Sequence, residues 1–159
     1  MVKHKKYDGY QSFQYLEAGK DYKPYKLSKQ INRVEPYVYP VSEEQEELVE
    51  QIMEEDLMIS LHEHTFIAPE DLSKIMEFRR QGRDWTGYEG LSQSGLDVVF
   101  ENFMNGTAFI TSNAGWKWLD VIHDIGIRYS DFAHQDLVIR AETIEDIYRA
   151  KREGKIAFV

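Results

Sequence analysis

From residue 57 onward, short apolar runs alternate with segments of helical periodicity. No other feature of the chain constrains the fold as tightly. "LMISLHE" (57–63), "LDVVFENFM" (96–104), "TAFITS" (107–112), "LVIRA" (137–141) and "KIAFV" (155–159) have strand length and are rich in β-branched and aromatic residues. Between them lie "APEDLSKIMEFRRQG" (68–82), the segment 116–135 and "IEDIYRAKREG" (144–154), each with apolar residues at helical spacing. Strands separated by crossover helices predict an α/β fold with a parallel sheet.

The helices carry their own punctuation. A further helix opens at "PVSEEQEELVEQIMEED", with Ser42 as N-cap, Gln45 in the capping-box position and acids in the first turn. Its apolar stripe is Leu48, Val49, Ile52 and Met53. In 68–82, Pro69 suits a helix start, Arg79 and Arg80 suit the last turn, and Gly82 suits the C-terminal cap. Leu72, Ile75, Met76 and Phe78 form the expected buried stripe. In 116–135 the expected inner face is Trp118, Leu119, Ile122, Ile125, Tyr129 and Phe132. Thr143 caps the last helix, with Asp146 in the capping box and Gly154 at its end. The stretch 83–95, "RDWTGYEGLSQSG", reads as a loop. It follows the first crossover helix and so falls nearer the amino ends of the strands. Trp85, Tyr88 and Glu89 are therefore not expected to touch a substrate.

Composition narrows the class. A chain of 159 residues with 42% hydrophobic and 30% charged residues is an ordinary globular domain. Its net charge of −9 argues against nucleic acid as a partner. The charge is uneven: residues 1–33 hold eight Lys/Arg against three Asp/Glu, and 34–56 hold nine acids and no base. Residues 1–41 also contain seven of the ten tyrosines and three of the four prolines, with little periodicity. Such a segment orders only by laying its rings on another surface. It reads as an extended aromatic-rich arm, wrapped on its own domain or on a partner subunit, ahead of the α/β unit at 42–159. With no cysteine there is no disulfide or thiolate metal site. No run reaches the roughly 18 apolar residues of a membrane span, and no signal peptide is evident, so no membrane role and a cytoplasmic location are expected.

Two of the five histidines, His62 and His64, stand one residue apart at the end of the first strand. Strand alternation puts both on one face with Ser60 and Met58, and Glu63 on the other, as a structural or surface carboxylate. Neutral imidazoles side by side on a rigid strand can hold a divalent metal. His123, Asp124 and His134 fall within or at the end of a helix and read as structural residues. Trp116 and Trp118 read as core or interface.

Two segments resemble the membrane (renal) dipeptidase family of metallopeptidases. "TIEDIYRAKREGKIAFV" is similar to that family's Thr-capped helix with an "A-K-x-E-G-K" ending that leads into an apolar barrel strand. "LMISLHEHTF" is similar to its first strand, which ends in a His-x-Asp metal-binding pair, and "SGLDVVFENFMNGTAFIT" sits where its second strand lies. The resemblance covers about residues 56–159. It implies a TIM-type (β/α)8 barrel, with His62 and His64 as first-strand ligands of one or two divalent metal ions, expected to be Zn2+. It further implies hydrolysis of an amide C–N bond in a dipeptide or other small molecule by a metal-activated hydroxide. His64 stands where the family has Asp; His-x-His is the commoner form in the wider amidohydrolase superfamily.

A full barrel needs about 250 residues. The expectation is therefore an N-terminal portion of about three strand–helix units, inactive alone and with no catalytic residue of its own. The rest would lie on a second polypeptide or another copy, or have been removed by proteolysis or truncation, and "KIAFV" would be left as an unpaired edge strand. Two other readings stand beside it. One is a non-catalytic α/β subunit or scaffold binding a partner through its arm and open sheet edge. The other is a small, complete α/β protein with an isolated histidine pair.

Overall fold

The computed structural model describes residues 5–102 and 117–159. The element order is α1 (Glu43–Glu55), β1 (Ile59–Glu63), a 3-10 turn (Leu72–Lys74) running into α2 (Ile75–Arg79), α3 (Tyr88–Gln93), β2 (Val98–Glu101), α4 (Trp118–Phe132), β3 (Val138–Arg140), α5 (Ile144–Glu153) and β4 (Ile156–Phe158). The four strands form one parallel sheet in the order β1-β2-β4-β3. The expected strand at 107–112 lies outside the described residues. Among those described, no helix is long and apolar enough to cross a membrane.

The sheet's centre is β2 and β4. Val98, Val99, Ile156, Ala157 and Phe158 are all buried, as strands covered on both faces require. "KIAFV" is therefore not an edge: β4 pairs with β2 on one side and β3 on the other, and the edges are β1 and β3. Sequence order does not determine strand order, and the crossover through α4 carries the chain past β4's place before α5 returns it.

Each face has its own cover. On one, Val98 and Ala157 pack with Ala150 of α5, against Ile139 and Ile147. Thr143 and Asp146 form the predicted capping box, and Gly154 closes α5 in the left-handed region at φ 72, which glycine adopts without steric cost. On the other face, Val99, Val138, Ile156 and Phe158 meet Tyr10 of the arm and Tyr88 and Leu91 of α3. The arm lies on its own chain as far as Gln30, whereas Val34, Tyr37, Val38 and Tyr39 beyond it are exposed. Phe13, Ile67, Phe78 and Trp85 make a further cluster, flanked by Tyr15, Tyr22 and Tyr25. Edge-to-face contacts at ring separations of 5.2 to 5.5 Å join Phe13 and Tyr22 to Trp85, and Tyr25 to Phe78.

Three expectations are corrected. The stretch 83–95 is not all loop, because α3 occupies Tyr88–Gln93 and buries Tyr88 and Leu91. In the helix before it only Phe78 of the expected stripe is buried, whereas Leu72 and Met76 are exposed, since the element is a 3-10 turn plus one short helix with little inward face. The largest departure is α4. Its buried residues are Asp120, Asp124, Arg128 and Asp131, while Trp118 and Leu119 are 78% and 73% exposed and Ile122 and Tyr129 are exposed as well. The polar face turns inward because it meets charged and hydroxyl partners there. Asp131 accepts from Tyr10 Oη at 2.6 Å, the Phe13 amide at 2.8 Å and Tyr88 Oη at 2.8 Å. Burial, then the bonds to Asp131, hold the Tyr10 hydroxyl well above the ordinary tyrosine range; burial and the Asp131 charge do the same for Tyr88. Those bonds also pin Phe13, whose left-handed φ of 62 is costly for a residue with a side chain.

Candidate functional site

The amino ends of the strands are tied by charge. Asp97, buried just before β2, accepts from Lys5 Nζ, from Lys151 Nζ at 2.9 Å and from the Met58 amide at 3.0 Å. Lys151 also donates to the Met53 and Asp56 carbonyls at 2.9 and 2.6 Å. It thus supplies the cation that α1, with no basic residue in its last turn, lacks at its C-terminus. All three of its donors are used.

The carboxyl ends present different chemistry. His62 and His64 come together: their Nε2 atoms are 3.2 Å apart, with ring planes 88° to one another. His64 is half-buried and its Nδ1 lies 3.3 Å from the Asn102 carbonyl at the end of β2, while His62 is exposed. Strand alternation alone does not describe this end of β1. Ser60 pairs with Val99 but Glu63 pairs with Glu101, so the register shifts between them, and such a bulge re-aims side chains. Ser60 Oγ consequently donates to Glu63 Oε1 at 2.7 Å, and Glu63 lines the same cleft as His64. Glu63 is not segregated on the opposite face, as simple alternation required.

The fit of a metal to the pair follows from the distances. Two nitrogens 3.2 Å apart, each at the roughly 2.05 Å of a zinc–histidine bond, subtend about 103° at the ion, near the tetrahedral angle. His64 can present an unprotonated Nε2, because its Nδ1 has the Asn102 carbonyl to donate to. Among the described residues no group of three or more His, Cys, Asp or Glu could hold a metal. The pair therefore fills two positions of a coordination shell.

Behind the pair stands a buried ion cluster that sequence reasoning missed. Arg128 of α4 pairs with Asp84 and, at 3.1 Å, with Glu101 at the end of β2; all three are almost fully buried. Glu101 Oε2 accepts from the Thr65 amide at 3.1 Å, one residue beyond His64. Burial raises the Glu101 carboxyl above its ordinary pKa, against the opposing pull of Arg128 and Thr65. Asp84 also corrects the placing of its segment. Ile67 donates to the Trp85 carbonyl at 2.6 Å and Gly87 to the Thr65 carbonyl at 2.7 Å, so 84–87 runs beside the chain leaving β1, at the carboxyl ends. The available signal was a glutamate closing an apolar strand; nothing local linked it to Arg128 or Asp84.

The other candidates keep structural places. His134 Nδ1 lies 2.7 Å from the Ser130 carbonyl and its ring stacks on Tyr15 at 3.7 Å. His123 is exposed on α4 and Asp124 buried on it. Trp85 and Tyr88 are core residues, and Trp116 lies outside the described residues.

No family model, curated protein or solved structure matches the chain.

Proposed function

We propose that this chain carries the first-strand ligands of a metal-dependent hydrolase acting on an amide C–N bond of a small molecule or dipeptide. The observation that carries the reading is the convergence of His62 and His64 Nε2 to 3.2 Å at the carboxyl end of β1, the end where α/β sheets and barrels place their sites. His62 and His64 hold one or two divalent ions, preferably zinc. Coordination there supplies hydroxide near neutral pH, by lowering the pKa of water from about 15.7 to about 7. Arg128, Asp84 and Glu101 keep the end of β2 and the Thr65 amide fixed behind the pair.

The architecture that suits this chemistry is the N-terminal part of a (β/α)8 barrel. In support, all four strands are parallel and β1 lies beside β2 as successive barrel strands do, although β4 stands beside β2 where barrel order would place β3. The strand β3 is an addition at the far edge of β4, so closure requires the next strand to pair on β3 or to displace it. The working location is the cytoplasm.

Metal content tests the reading. The zinc-loaded chain, purified with whatever accompanies it, is expected to hold one or two zinc ions per chain. His62→Ala or His64→Ala should abolish this, together with any cleavage of dipeptides. A metal-free assembly whose zinc affinity is unchanged by either substitution would sink the proposal.

A second reading has an observation of its own. Ile59 and Leu61 of edge strand β1 are exposed, as are Trp118, Leu119 and Ile122 of α4. A non-catalytic subunit that binds a partner chain through these surfaces accounts for that exposure with no metal at all. Analytical ultracentrifugation and mass spectrometry of the metal-free protein separate the two.

A further inference from the structure

The cleft that contains His64 has a volume of about 480 Å3, within the range of small-molecule sites. It is lined by Glu63, His64 and Thr65 at the end of β1 and by the apolar Ile67, Leu91 and Leu96. A strap of the N-terminal arm also lines it and brings in two cations, Lys29 and Arg33.

That strap is a built feature. Ser28 donates its amide to the Ala68 carbonyl at 3.0 Å, and Glu70 donates to the Lys26 carbonyl at 2.8 Å. Beyond them Gln30 Oε1 accepts from the Gly90 amide at 3.0 Å. Asn32, at φ 52, then turns the chain so that Arg33 also lines the cleft.

The charges on this arm divide into two sets. Lys5, Lys20, Lys23 and Lys26 each pair with a carboxylate of the chain. Lys6, Lys29 and Arg33 have no ion-pair partner among the described residues, although the chain carries a net charge of −9, and of the three Lys29 and Arg33 line the cleft. Two cations left open in a cleft, in an acidic protein, fit an anion that arrives from outside.

We propose that Lys29 and Arg33 form an anion subsite that binds the carboxylate of a small molecule, with its apolar body over Ile67, Leu91 and Leu96 and its other end toward His64. Phosphate shares the recognition chemistry, since both anions accept paired N–H donors from a guanidinium and a charge-assisted bond from an ammonium. The orientation toward His64 rests on the hydrolase reading above; the subsite itself rests on the cleft and the strap.

N-acetyl-leucine and its uncharged amide, N-acetyl-leucinamide, differ only at the end the subsite reads. In calorimetric or NMR titrations of the full chain, the acid should bind at least tenfold more tightly than the amide. Lys29→Ala/Arg33→Ala should erase that preference and its salt dependence. Both residues are exposed, so near-UV circular dichroism should show an unchanged fold. Inorganic phosphate that competes with the acid shows that phosphate shares the site; failure to compete restricts the subsite to carboxylates. Repeating the titration after chelation separates this proposal from the metal reading. An acid preference that survives chelation and depends on Lys29 and Arg33 upholds the subsite even if His62→Ala leaves zinc content unchanged, in which case the hydrolase reading alone falls. Equal binding of acid and amide, no binding of either, or a preference untouched by the double substitution overturns it.

Discussion

The two ends of the sheet handle buried charge in opposite ways. At the amino ends, Asp97 is saturated: two lysines and a backbone amide occupy its oxygens, and Lys151 spends its remaining donors on the carbonyls ending α1. Its bonds join the arm, α1, β1, β2 and α5. At the carboxyl ends, Arg128 holds Asp84 and Glu101, but two imidazole nitrogens at the rim face each other across 3.2 Å. A saturated cluster stabilises and can do little else. Open lone pairs beside a cleft contribute little to folding and leave room for a ligand. Substitutions in the saturated clusters and at the histidine rim should therefore separate into stability effects and binding effects.

The largest stability loss is expected at Asp97. Removing one partner of a buried ion pair costs about 3–5 kcal/mol, because the other charges stay buried and unmatched. Asp97→Ala should lose about that much in urea denaturation. The acid limb gives the sign independently. Burial raises the Asp97 carboxyl, but the bonds from Lys151 and Lys5 outweigh it and the net shift is downward. Its contribution is thus complete above the ordinary aspartate pKa of about 3.9 and is lost as pH falls through the lower folded value. Asp97→Asn should remove that part of the acid limb. A full-stability Asp97→Ala protein would erase the contrast between the two ends.

Next in size is Arg128→Met, which keeps the volume of the side chain but leaves the Asp84 and Glu101 carboxylates buried without their cation. A loss of about 3 kcal/mol at neutral pH is expected, smaller in mild acid where the carboxyls protonate. Stability curves at pH 5 and pH 8 check it; equal losses at both would show that Arg128 acts through packing alone.

How far the sequence could be read follows the range of the interactions. Ser42 with Gln45, and Thr143 with Asp146 and Gly154, were legible because a cap satisfies amides within its own turn. The parallel sheet was legible from alternation. The inward face of α4 was not. Asp120, Asp124, Arg128 and Asp131 share a helical face, but what holds Arg128 and Asp131 inside is Asp84, Tyr10, Tyr88 and Glu101, distant in sequence. Apolar periodicity names the opposite face, of which Trp118, Leu119, Ile122 and Tyr129 are exposed while Phe132 packs on Phe158. The site divides in the same way. The histidine pair is visible at a spacing of two residues, whereas Glu101 joins it only through a cross-strand register and the Thr65 amide, and Lys29 and Arg33 only through the strap's docking.

Glu101 should prove a weak contributor to stability. Its folded pKa lies above the ordinary glutamate value, mainly through burial. A raised carboxyl favours the fold below the unfolded pKa of 4.5, and that advantage is lost as pH rises through the folded value. Glu101→Gln should therefore flatten the stability profile over this window and change stability at pH 7 by less than about 1 kcal/mol. A loss as large as that of Asp97→Ala would mean that both ends of the sheet are built for stability.

The smallest effect on folding is expected at the two histidines, and it is the most informative. His62 is exposed and His64 half-buried, so in metal-free protein His62→Ala and His64→Ala should change stability by less than about 0.5 kcal/mol, as surface substitutions do. With zinc added, the wild-type chain should gain stability with metal concentration by mass action, about 2.7 kcal/mol at a hundredfold excess over Kd. Neither variant should show that gain. The wild-type gain should fade in acid, because a ligating imidazole must be unprotonated. If both variants instead lose several kcal/mol without metal, the 3.2 Å contact is a structural hydrogen bond, and the carboxyl end serves folding no less than the amino end does.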